Sequence, residues 1–175
     1  MKVTGTASLS APREHVWAAL RDPAVLVRTI PGCEQLVAIG PDEYRMTVSA
    51  GVAAIKGQYQ GTVLLTDLAE PGSFVMRARG AGGPGMVDAT VQVRLDAEGP
   101  DRTLLSYDAD AVVGGMIGGV GQRVLTGVSK RMAGEFFTAV DDVLTGRAPQ
   151  PAAASAGVPG GGLAGQPIGV GYGLA

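Results

Sequence analysis

The sequence predicts an α+β fold in which a curved antiparallel sheet of about seven strands wraps around one long C-terminal helix. Three observations support this fold class. A single N-terminal strand is followed by two short helical segments, a long run of β-rich segments comes next, and the last folded stretch repeats apolar residues at helical spacing. Because the concave face of the sheet is the only large apolar surface left for that helix, we expect the helix to lie across it.

The N-terminal elements are marked by alternation and by helix start and stop signals. Residues 2–9 alternate as a strand, and Ser10 is expected to cap the first helix, with Pro12 in its first turn. A second short helix is predicted over residues 24–29. It is expected to end at Pro31-Gly32, because proline lacks a backbone donor and glycine allows positive φ.

Six further segments are predicted as strands because they alternate or are rich in β-forming residues. Turn signals such as Gly40-Pro41-Asp42 and Glu70-Pro71-Gly72 separate them, so neighbouring segments are expected to pair in an antiparallel meander. The segments are 34–39, 43–50, 53–67, 73–80, 86–96 and 103–113.

The last folded element is predicted to be a long helix whose apolar stripe faces the sheet. The stripe consists of a row at i+4 spacing, widened by four neighbours. The row is Val120, Val124, Val128, Met132, Phe136 and Val140, and the neighbours are Leu125, Phe137, Val143 and Leu144.

The distribution of charged residues along the sequence predicts a folded domain followed by a tail. All charged residues lie at or before Arg147, and residues 148–175 are mostly Ala, Gly and Pro. A segment of that composition buries too little apolar surface to offset its ordering entropy. We therefore expect a folded domain over residues 1–147 and a flexible tail over residues 148–175.

Composition excludes several classes of protein. The formal net charge of −2 gives no basic surface for nucleic acid, and the single cysteine, Cys33, excludes an internal disulfide. The N-terminus lacks the apolar core of a signal peptide, and no apolar run in residues 1–147 is long enough to cross a bilayer. A cytoplasmic protein is expected.

Patterns that would indicate catalysis or metal binding are weak. The segment 112–125, VVGGMIGGVGQRVL, contains five glycines but lacks the lysine and the spacing of a phosphate-binding loop. His15 and Cys33 are isolated on separate elements, and Asp108 and Asp110 alternate away from the apolar face of their strand. No ligand spacing for a metal is present. We therefore predict no catalytic residue and no metal site, and a protein that is not an enzyme.

The alternation assigns many small residues, such as Gly61, Ala78 and Ala89, to the inner face of the sheet. A sheet wrapped on a single helix needs large side chains to fill the gap between them. Two outcomes stay open, a ligand-sized hollow or a core that the helix fills. Tyr59 and Tyr107 lie on the same face, and a buried tyrosine hydroxyl needs a partner, which a ligand carbonyl, a backbone group or a water would supply.

Short motifs spread through residues 1–147 occur together in a recognisable order. They are Pro12 with Val16-Trp17, Asp22-Pro23, Ile30-Pro31-Gly32-Cys33-Glu34, Ile55-Lys56-Gly57-Gln58-Tyr59-Gln60-Gly61, Gly118-Gly119-Val120-Gly121-Gln122-Arg123-Val124-Leu125 and Glu135-Phe136-Phe137. In these motifs the chain resembles the carbon monoxide dehydrogenase G-subunit family, within the START-like (SRPBCC) helix-grip superfamily of proteins that bind lipophilic ligands.

The resemblance implies a helix-grip fold with an apolar cavity between the sheet and the long helix. It also implies association with molybdenum-containing hydroxylases of the carbon monoxide dehydrogenase type. The family roles that it suggests are recruitment of that dehydrogenase to the membrane and carriage of a respiratory quinone that takes up its electrons.

The predicted function is that of a non-enzymatic carrier of a lipophilic small molecule. The expected ligand is an isoprenoid quinone of the menaquinone or ubiquinone type, held without a covalent bond, since such a ligand needs an apolar slot and a few polar groups. Ile30 and Pro31 are predicted at the mouth of the slot, with Tyr59 and Tyr107 as its polar handles. The predicted lining residues are Met46, Val48, Phe74, Met76, Val124 and Val128.

The alternative function is that of an assembly or membrane-recruitment factor for the dehydrogenase, with the cavity incidental. Gly and Pro interrupt the tail 148–175, so it is not expected to span a membrane as a helix. Its spaced apolar residues would suit docking on the dehydrogenase subunits as an extended peptide, although a tail without a partner is the competing interpretation. Either function places the protein in the cytoplasm, with peripheral contact at the inner face of the cell membrane. An enzyme of this superfamily would need an acid–base pair inside the cavity, and none is predicted.

Overall fold

A computed structural model of the chain describes residues 1–52 and 54–147. Two predictions fall on residues outside these ranges. They are the tail over residues 148–175, with the division into two regions that it implies, and the start of a strand at residue 53. The strands are β1 (Lys2–Leu9), β2 (Cys33–Gly40), β3 (Glu43–Val52), β4 (Ile55–Ala69), β5 (Ser73–Gly82), β6 (Gly85–Gly99) and β7 (Arg102–Gly114). The helices are α1 (Arg13–Leu20), α2 (Pro23–Thr29) and α3 (Gln122–Leu144), and a 3-10 turn covers Met116–Val120.

The seven strands form one antiparallel sheet in the order β1-β7-β6-β5-β4-β3-β2. Strands β2 to β7 follow one another as a meander, and β1 completes the sheet beside β7. The sheet is curved, and the long helix α3 lies against it, so the predicted fold class is confirmed.

The pairing register determines which side chains share the concave face. Ala78 of β5 lies opposite Val63 of β4 and Ala89 of β6, and Ala89 lies opposite Ala111 of β7. Directly opposite residues of antiparallel strands point to the same face of the sheet. The small residues that alternation assigns to the inner face therefore do lie side by side across the strands.

The start of α1 differs from the prediction. Pro12, and not Ser10, is the N-cap residue. The backbone N–H of Ser10 donates instead to Oδ1 of Asp141 in α3, at 2.7 Å, so this residue is held by a contact distant in sequence. Helix α2 includes Pro23 as well as the predicted residues, because Asp22 caps it by accepting a hydrogen bond from its second residue at 2.9 Å.

The i+4 row of apolar residues winds around α3 instead of staying on one face. Each i+4 step turns the helix about 40° beyond a full turn. Val124, near the start of the row, is therefore 40% exposed, whereas Val140, at its end, is fully buried. Leu125, which follows Val124, is buried in its place. Val124, predicted to line the slot, is thus the more exposed of the two residues, and Leu125 packs in the core.

Within residues 1–52 and 54–147, the core forms two separate hydrophobic clusters at opposite ends of the concave face. The first, here called the tryptophan cluster, lies where α1 and α2 meet the sheet. Its buried residues are Leu9, Ala11, Val16, Trp17, Leu20, Leu26, Tyr44, Leu65, Phe74, Leu95, Leu105 and Val140. The second, here called the isoleucine cluster, is smaller, and its buried residues are Val52, Ile117 and Leu125.

Polar contacts reinforce the tryptophan cluster. Trp17 packs edge-on against Phe74, with 5.6 Å between the ring centroids. Arg21 pairs with Asp42 and lies over the indole ring, 5.7 Å from its centroid. The hydroxyl of Tyr44 donates to the backbone carbonyl of Arg21 at 2.8 Å. These contacts join α1 to the turn between β2 and β3.

Candidate ligand-binding site

A band of small or partly exposed residues separates the two clusters on the concave face. These residues, here called the central band, belong to neither cluster, and each is only half-buried although it faces inward. They are Met46, Val48, Gly61, Ala78, Gly80, Ala89, Val91, Ala109 and Ala111. Gly61 lies opposite Gly80, and Ala89 opposite Ala111, so the centre of the band carries no large side chain.

The backbone of the long helix lies closer to the edge strand β1 than to the strands that carry most of the central band. The backbone of α3 comes close to β1 and β3, but hardly approaches the middle strands β4, β5 and β6. Alanine and glycine cannot reach across such a gap, whereas a well-packed interior would leave almost no void. The inward residues of the central band stay only half-buried, so of the two outcomes that the sequence leaves open, the described residues favour a hollow there.

The two tyrosines predicted as polar handles lie at opposite ends of this hollow. Tyr59 packs against the isoleucine cluster, and Tyr107 against the tryptophan cluster. The pairing register separates their positions by about eight residues along the strands, or roughly 25 Å. A single quinone ring cannot reach both hydroxyls, so at most one of the two tyrosines binds a given head group.

The surroundings of the two hydroxyls also differ. Tyr59 is half-buried against the isoleucine cluster, and this burial raises the pKa of its hydroxyl. The ring of Tyr107 lies 5.8 Å from that of Phe137 in α3. Its hydroxyl reaches β1, where a Cβ atom added to Gly5 would come within 2.6 Å of it. Tyr107 thus closes the edge of the sheet against α3, and Tyr59 is the better placed of the two to meet a ligand in the hollow.

The other predicted lining residues divide between the hollow and the core. Ile30 and Met76 are partly buried and pack against the tryptophan cluster, and Val128 packs against the isoleucine cluster. Pro31 is half-buried in the loop between α2 and β2. Phe74 is 6% exposed and sits inside the tryptophan cluster, so it packs the core instead of lining the hollow. Its pairing with the indole, distant in sequence, accounts for this difference.

Two of the motifs that carry the family resemblance meet on the outer face of the sheet. Glu34, from the Pro-Gly-Cys-Glu motif, accepts hydrogen bonds from the hydroxyl of Ser49 and from the side-chain amide of Gln58, the latter at 2.8 Å. Gly32 accepts a hydrogen bond from the backbone N–H of Ser49 at 2.9 Å, and a Cβ atom at Gly32 would clash with the Ser49 carbonyl. These contacts fix the loop that carries Ile30 against β3.

The glycines between β7 and α3 have different structural roles. Gly115 has a φ of +80° and packs on Gly85, where an added Cβ atom would lie 2.6 Å from the Gly85 Cα. Gly121 has a φ of +95°. At Gly118 an added Cβ atom would come within 2.9 Å of a backbone carbonyl, whereas at Gly119 it would meet nothing within 4 Å. Most of these glycines therefore serve a tight turn, and at Gly115 and Gly121 the backbone has the positive φ that glycine allows.

Sequence reasoning left out of its binding set the residues that shape the hollow most. The Ala and Gly positions of the central band were assigned to the inner face but not to the site. Ile117 was assigned to neither, although it is 2% exposed and anchors the isoleucine cluster. One signal in the sequence could have found them. Gly or Ala repeats at inward positions of adjacent strands, and this repetition indicates directly that side-chain volume is small at the centre of the concave face.

A second concavity, of about 370 Å³, lies outside the hollow between the edge strand β1 and the C-terminal half of α3. Its lining is mostly polar or charged, unlike the central band. The lining residues are Thr6, Ala7, Ser8, Tyr107, Lys130, Ala133, Gly134, Phe137, Thr138, Asp141, Asp142 and Arg147.

The groups considered for catalysis lie apart from the hollow. His15 is exposed on α1, and Asp110 pairs at the surface with Lys2 at 3.7 Å. Cys33 is half-buried, and burial raises the pKa of its thiol, which disfavours the nucleophilic thiolate. Among residues 1–52 and 54–147, no three His, Cys, Asp or Glu side chains are grouped closely enough to hold a metal ion. None of the helices in that part of the chain is long and apolar enough to cross a membrane.

Comparison with known proteins agrees with this geometry. The family model of the carbon monoxide dehydrogenase G subunit (CoxG) matches residues 5–145. A conserved protein from Geobacillus kaustophilus is similar in structure with a TM-score of 0.80 and 34% identity, over 83% of this chain and 96% of that one. Among curated proteins, none matches the chain.

More distant structures share the fold. A START superfamily protein from Mycobacterium smegmatis has a TM-score of 0.66 at 15% identity, over 83% of this chain and 98% of its own. The Zhui aromatase/cyclase from Streptomyces sp. R1128 has a TM-score of 0.64 at 19% identity, over 84% of this chain and 94% of its own. At these identities the likeness concerns the fold alone, which is the helix-grip fold.

Proposed function

Because the chain belongs to the carbon monoxide dehydrogenase G-subunit family, we propose that it is a non-enzymatic carrier that binds a lipophilic molecule between the sheet and α3. The observation that carries this proposal is the central band, where inward-facing residues stay half-buried between the two core clusters. An apolar molecule placed there would remove this surface from water, at about 25 cal/mol per Å² of apolar area.

A respiratory isoprenoid quinone is the ligand that suits this space best. Its isoprenoid chain would lie along the Ala, Gly and Val side chains of the central band. Its head group would sit near Tyr59, whose partly shielded hydroxyl is suited to donate to a quinone carbonyl. A molybdenum-containing hydroxylase of the carbon monoxide dehydrogenase type would be the electron donor, in keeping with the family.

The direct experiment is to purify the full chain without detergent, extract it with organic solvent and identify the extracted molecules by mass spectrometry. A quinone in near-stoichiometric amount supports the carrier. An empty extract, from protein that also takes up no added menaquinone, would count against it.

The substitution Ala89→Trp tests where the ligand binds. Ala89 lies at the centre of the band and faces the hollow, so an indole there would occupy the ligand's space. We expect uptake of added menaquinone, followed by quenching of intrinsic fluorescence, to fall about tenfold or more. Gln92→Trp is the matched control, because it places the same side chain on the exposed face of the same strand. Equal uptake by the two variants would show that the ligand does not bind at the central band.

The tail gives the recruitment function its own test. Residues 148–175 contain no charge and carry apolar residues between Gly and Pro, a composition suited to docking as an extended peptide. If the tail docks on the dehydrogenase, deletion of residues 148–175 should abolish binding to purified dehydrogenase and spare menaquinone uptake. Retained binding would show that the tail is not the docking element.

A further inference from the structure

The two edge strands of the sheet, β1 and β2, differ in regularity. The pairing of β2 with β3 shifts register twice, between Cys33 and Gln35 and between Ala38 and Gly40. Irregularities of this kind protect an edge strand from pairing with a further segment. In contrast, β1 pairs with β7 without interruption over residues 2–9. The outer edge of β1 is therefore a regular template for an additional strand.

Alternate residues of β1 direct their backbone groups away from β7. The amine of Met1 donates to the carbonyl of Ala111, and the N–H of Ala111 donates to the carbonyl of Met1, each at 2.8 Å. Because bonded pairs alternate along antiparallel strands, odd-numbered residues of β1 bond to β7 and even-numbered residues point outward. Ser10 follows this alternation, since its N–H donates to Asp141 of α3. Within residues 1–52 and 54–147, three residues have outward backbone groups with no hydrogen-bond partner, and they are Thr4, Thr6 and Ser8.

The concavity of about 370 Å³ lies directly beside this edge, between β1 and α3. Arg147 in its lining pairs with Asp141 and Asp142, at 3.5 Å in each case, so these charges are already matched. The apolar part of the lining consists of Ala7, Ala133, Gly134 and Phe137. An extended segment without charge would find backbone partners on β1 and apolar contacts on α3.

Residues 168–174, which lie outside the described part of the chain, have the sequence pattern of such a segment. They read Ile-Gly-Val-Gly-Tyr-Gly-Leu, so large apolar residues alternate strictly with glycine. Alternation with a period of two is typical of a strand, here with one apolar face and one face of glycine. Pro167 precedes the segment, and proline is tolerated at the start of a strand. A glycine-rich strand is weak by itself and needs an existing edge on which to pair.

The chain leaves α3 beside the same edge. Arg147 lines the concavity, so residue 148 starts next to β1. Residues 148–167 are mostly Ala, Gly and Pro, and a flexible linker of that length has an end-to-end distance of about 25 Å. The eight residues of β1 extend over roughly 26 Å, so the linker allows residues 168–174 to reach any part of the edge. Such a tether gives an effective concentration on the order of millimolar, which favours this segment over a second copy or a separate protein.

We propose that residues 168–174 pair antiparallel with the outer edge of β1 in the same chain, as an eighth strand of the sheet. The apolar face is directed to the side of Ala7 and Phe137, where the concavity offers apolar contacts. Ala7 bonds to β7, so the apolar residue opposite it on the outer edge belongs to a non-bonded pair. The backbone N–H groups of Gly169, Gly171 and Gly173 then point to β1. The inference is independent of the carrier function, since this edge lies outside the central band.

The test is amide hydrogen exchange of the full chain, resolved by residue with NMR. The double variant G169P/G171P removes two of the N–H groups directed to β1. We expect exchange at Thr4, Thr6 and Ser8 to become about tenfold faster or more in this variant. The matched control is G160P/G162P, which makes the same two replacements in the linker and should retain the protection. The N–H groups of β1 that bond to β7, those of Val3, Gly5 and Ala7, should stay protected in every variant and show that β1 is intact.

Three results would overturn the proposal. The first is fast exchange at the outward amides of β1 in the unmodified chain, which would leave residues 168–174 free for the dehydrogenase. The second is protection that persists in G169P/G171P, and the third is an equal loss in both double variants. Protection should also be independent of protein concentration. An increase with concentration would assign the pairing to a second copy and would equally overturn pairing within one chain.

Discussion

The two ends of the concave face differ in how they are held together. Among the described residues, the tryptophan cluster contains twelve buried residues and a polar network around Arg21, whereas the isoleucine cluster contains three buried residues and is bordered by glycine turns. Regions with few buried apolar contacts open at lower free energy than the rest of a domain. We infer that the tryptophan end stabilises the fold and that the isoleucine end is the one able to open for a ligand.

The largest effect that would test this comparison is expected at Leu105. This residue is 1% exposed in the tryptophan cluster, so Leu105→Ala should lower the free energy of unfolding by about 2–5 kcal/mol. Val91→Ala, in the half-buried central band, should cost only about 1 kcal/mol or less. Urea unfolding followed by circular dichroism measures both. Equal losses would mean that the central band is packed as tightly as the core.

A smaller effect is expected in the glycine segment. Gly115→Ala forces a side chain into a positive-φ position against Gly85, and should destabilise the domain by about 1–3 kcal/mol. Hydrogen exchange should rise most in residues 112–123. Gly119→Ala is the matched control, because an added Cβ atom meets nothing within 4 Å there. Protection unchanged by Gly115→Ala would show that the close approach to Gly85 does not hold this turn.

The smallest effect is a dependence of stability on pH at Tyr59. Burial raises the pKa of this phenol, so the folded state holds the proton more tightly than the unfolded chain, whose tyrosines titrate near pH 10. The stabilisation is fully present below that pH and is lost as pH rises through the folded-state pKa. Tyr59→Phe should therefore lose less stability between neutral and strongly alkaline pH than the unmodified chain, as measured by urea unfolding. An identical pH profile would indicate that the hydroxyl is fully hydrated.

Much of the fold could be predicted because its signals are local. Alternation in β4 and β6, turn residues at 40–42 and 70–72, and the Asp22-Pro23 helix start depend on neighbouring residues alone. Ser10 illustrates the limit of such signals. Its side chain suits a cap, but α1 begins only at Arg13, with Pro12 as its N-cap. Ser10 is held instead through its backbone N–H by Asp141, which comes near only when α3 folds back.

The candidate site was harder to predict than the fold. Phe74 and Val124 both have side chains that suit the lining of an apolar slot. Phe74 packs on Trp17 inside the core, and Val124 is 40% exposed because the i+4 row winds around α3. The two tyrosines share a face but lie too far apart to bind one head group. For the two tyrosines, the distance between them along the sheet matters more than their residue type.

By itself, the sequence determined the elements, their order and the apolar face of each strand, because these properties follow from periodicity and local turn chemistry. Only the tertiary structure decided which inward residues join a core cluster and which stay half-buried in the central band, since that depends on where α3 crosses the sheet and on which side chains then meet.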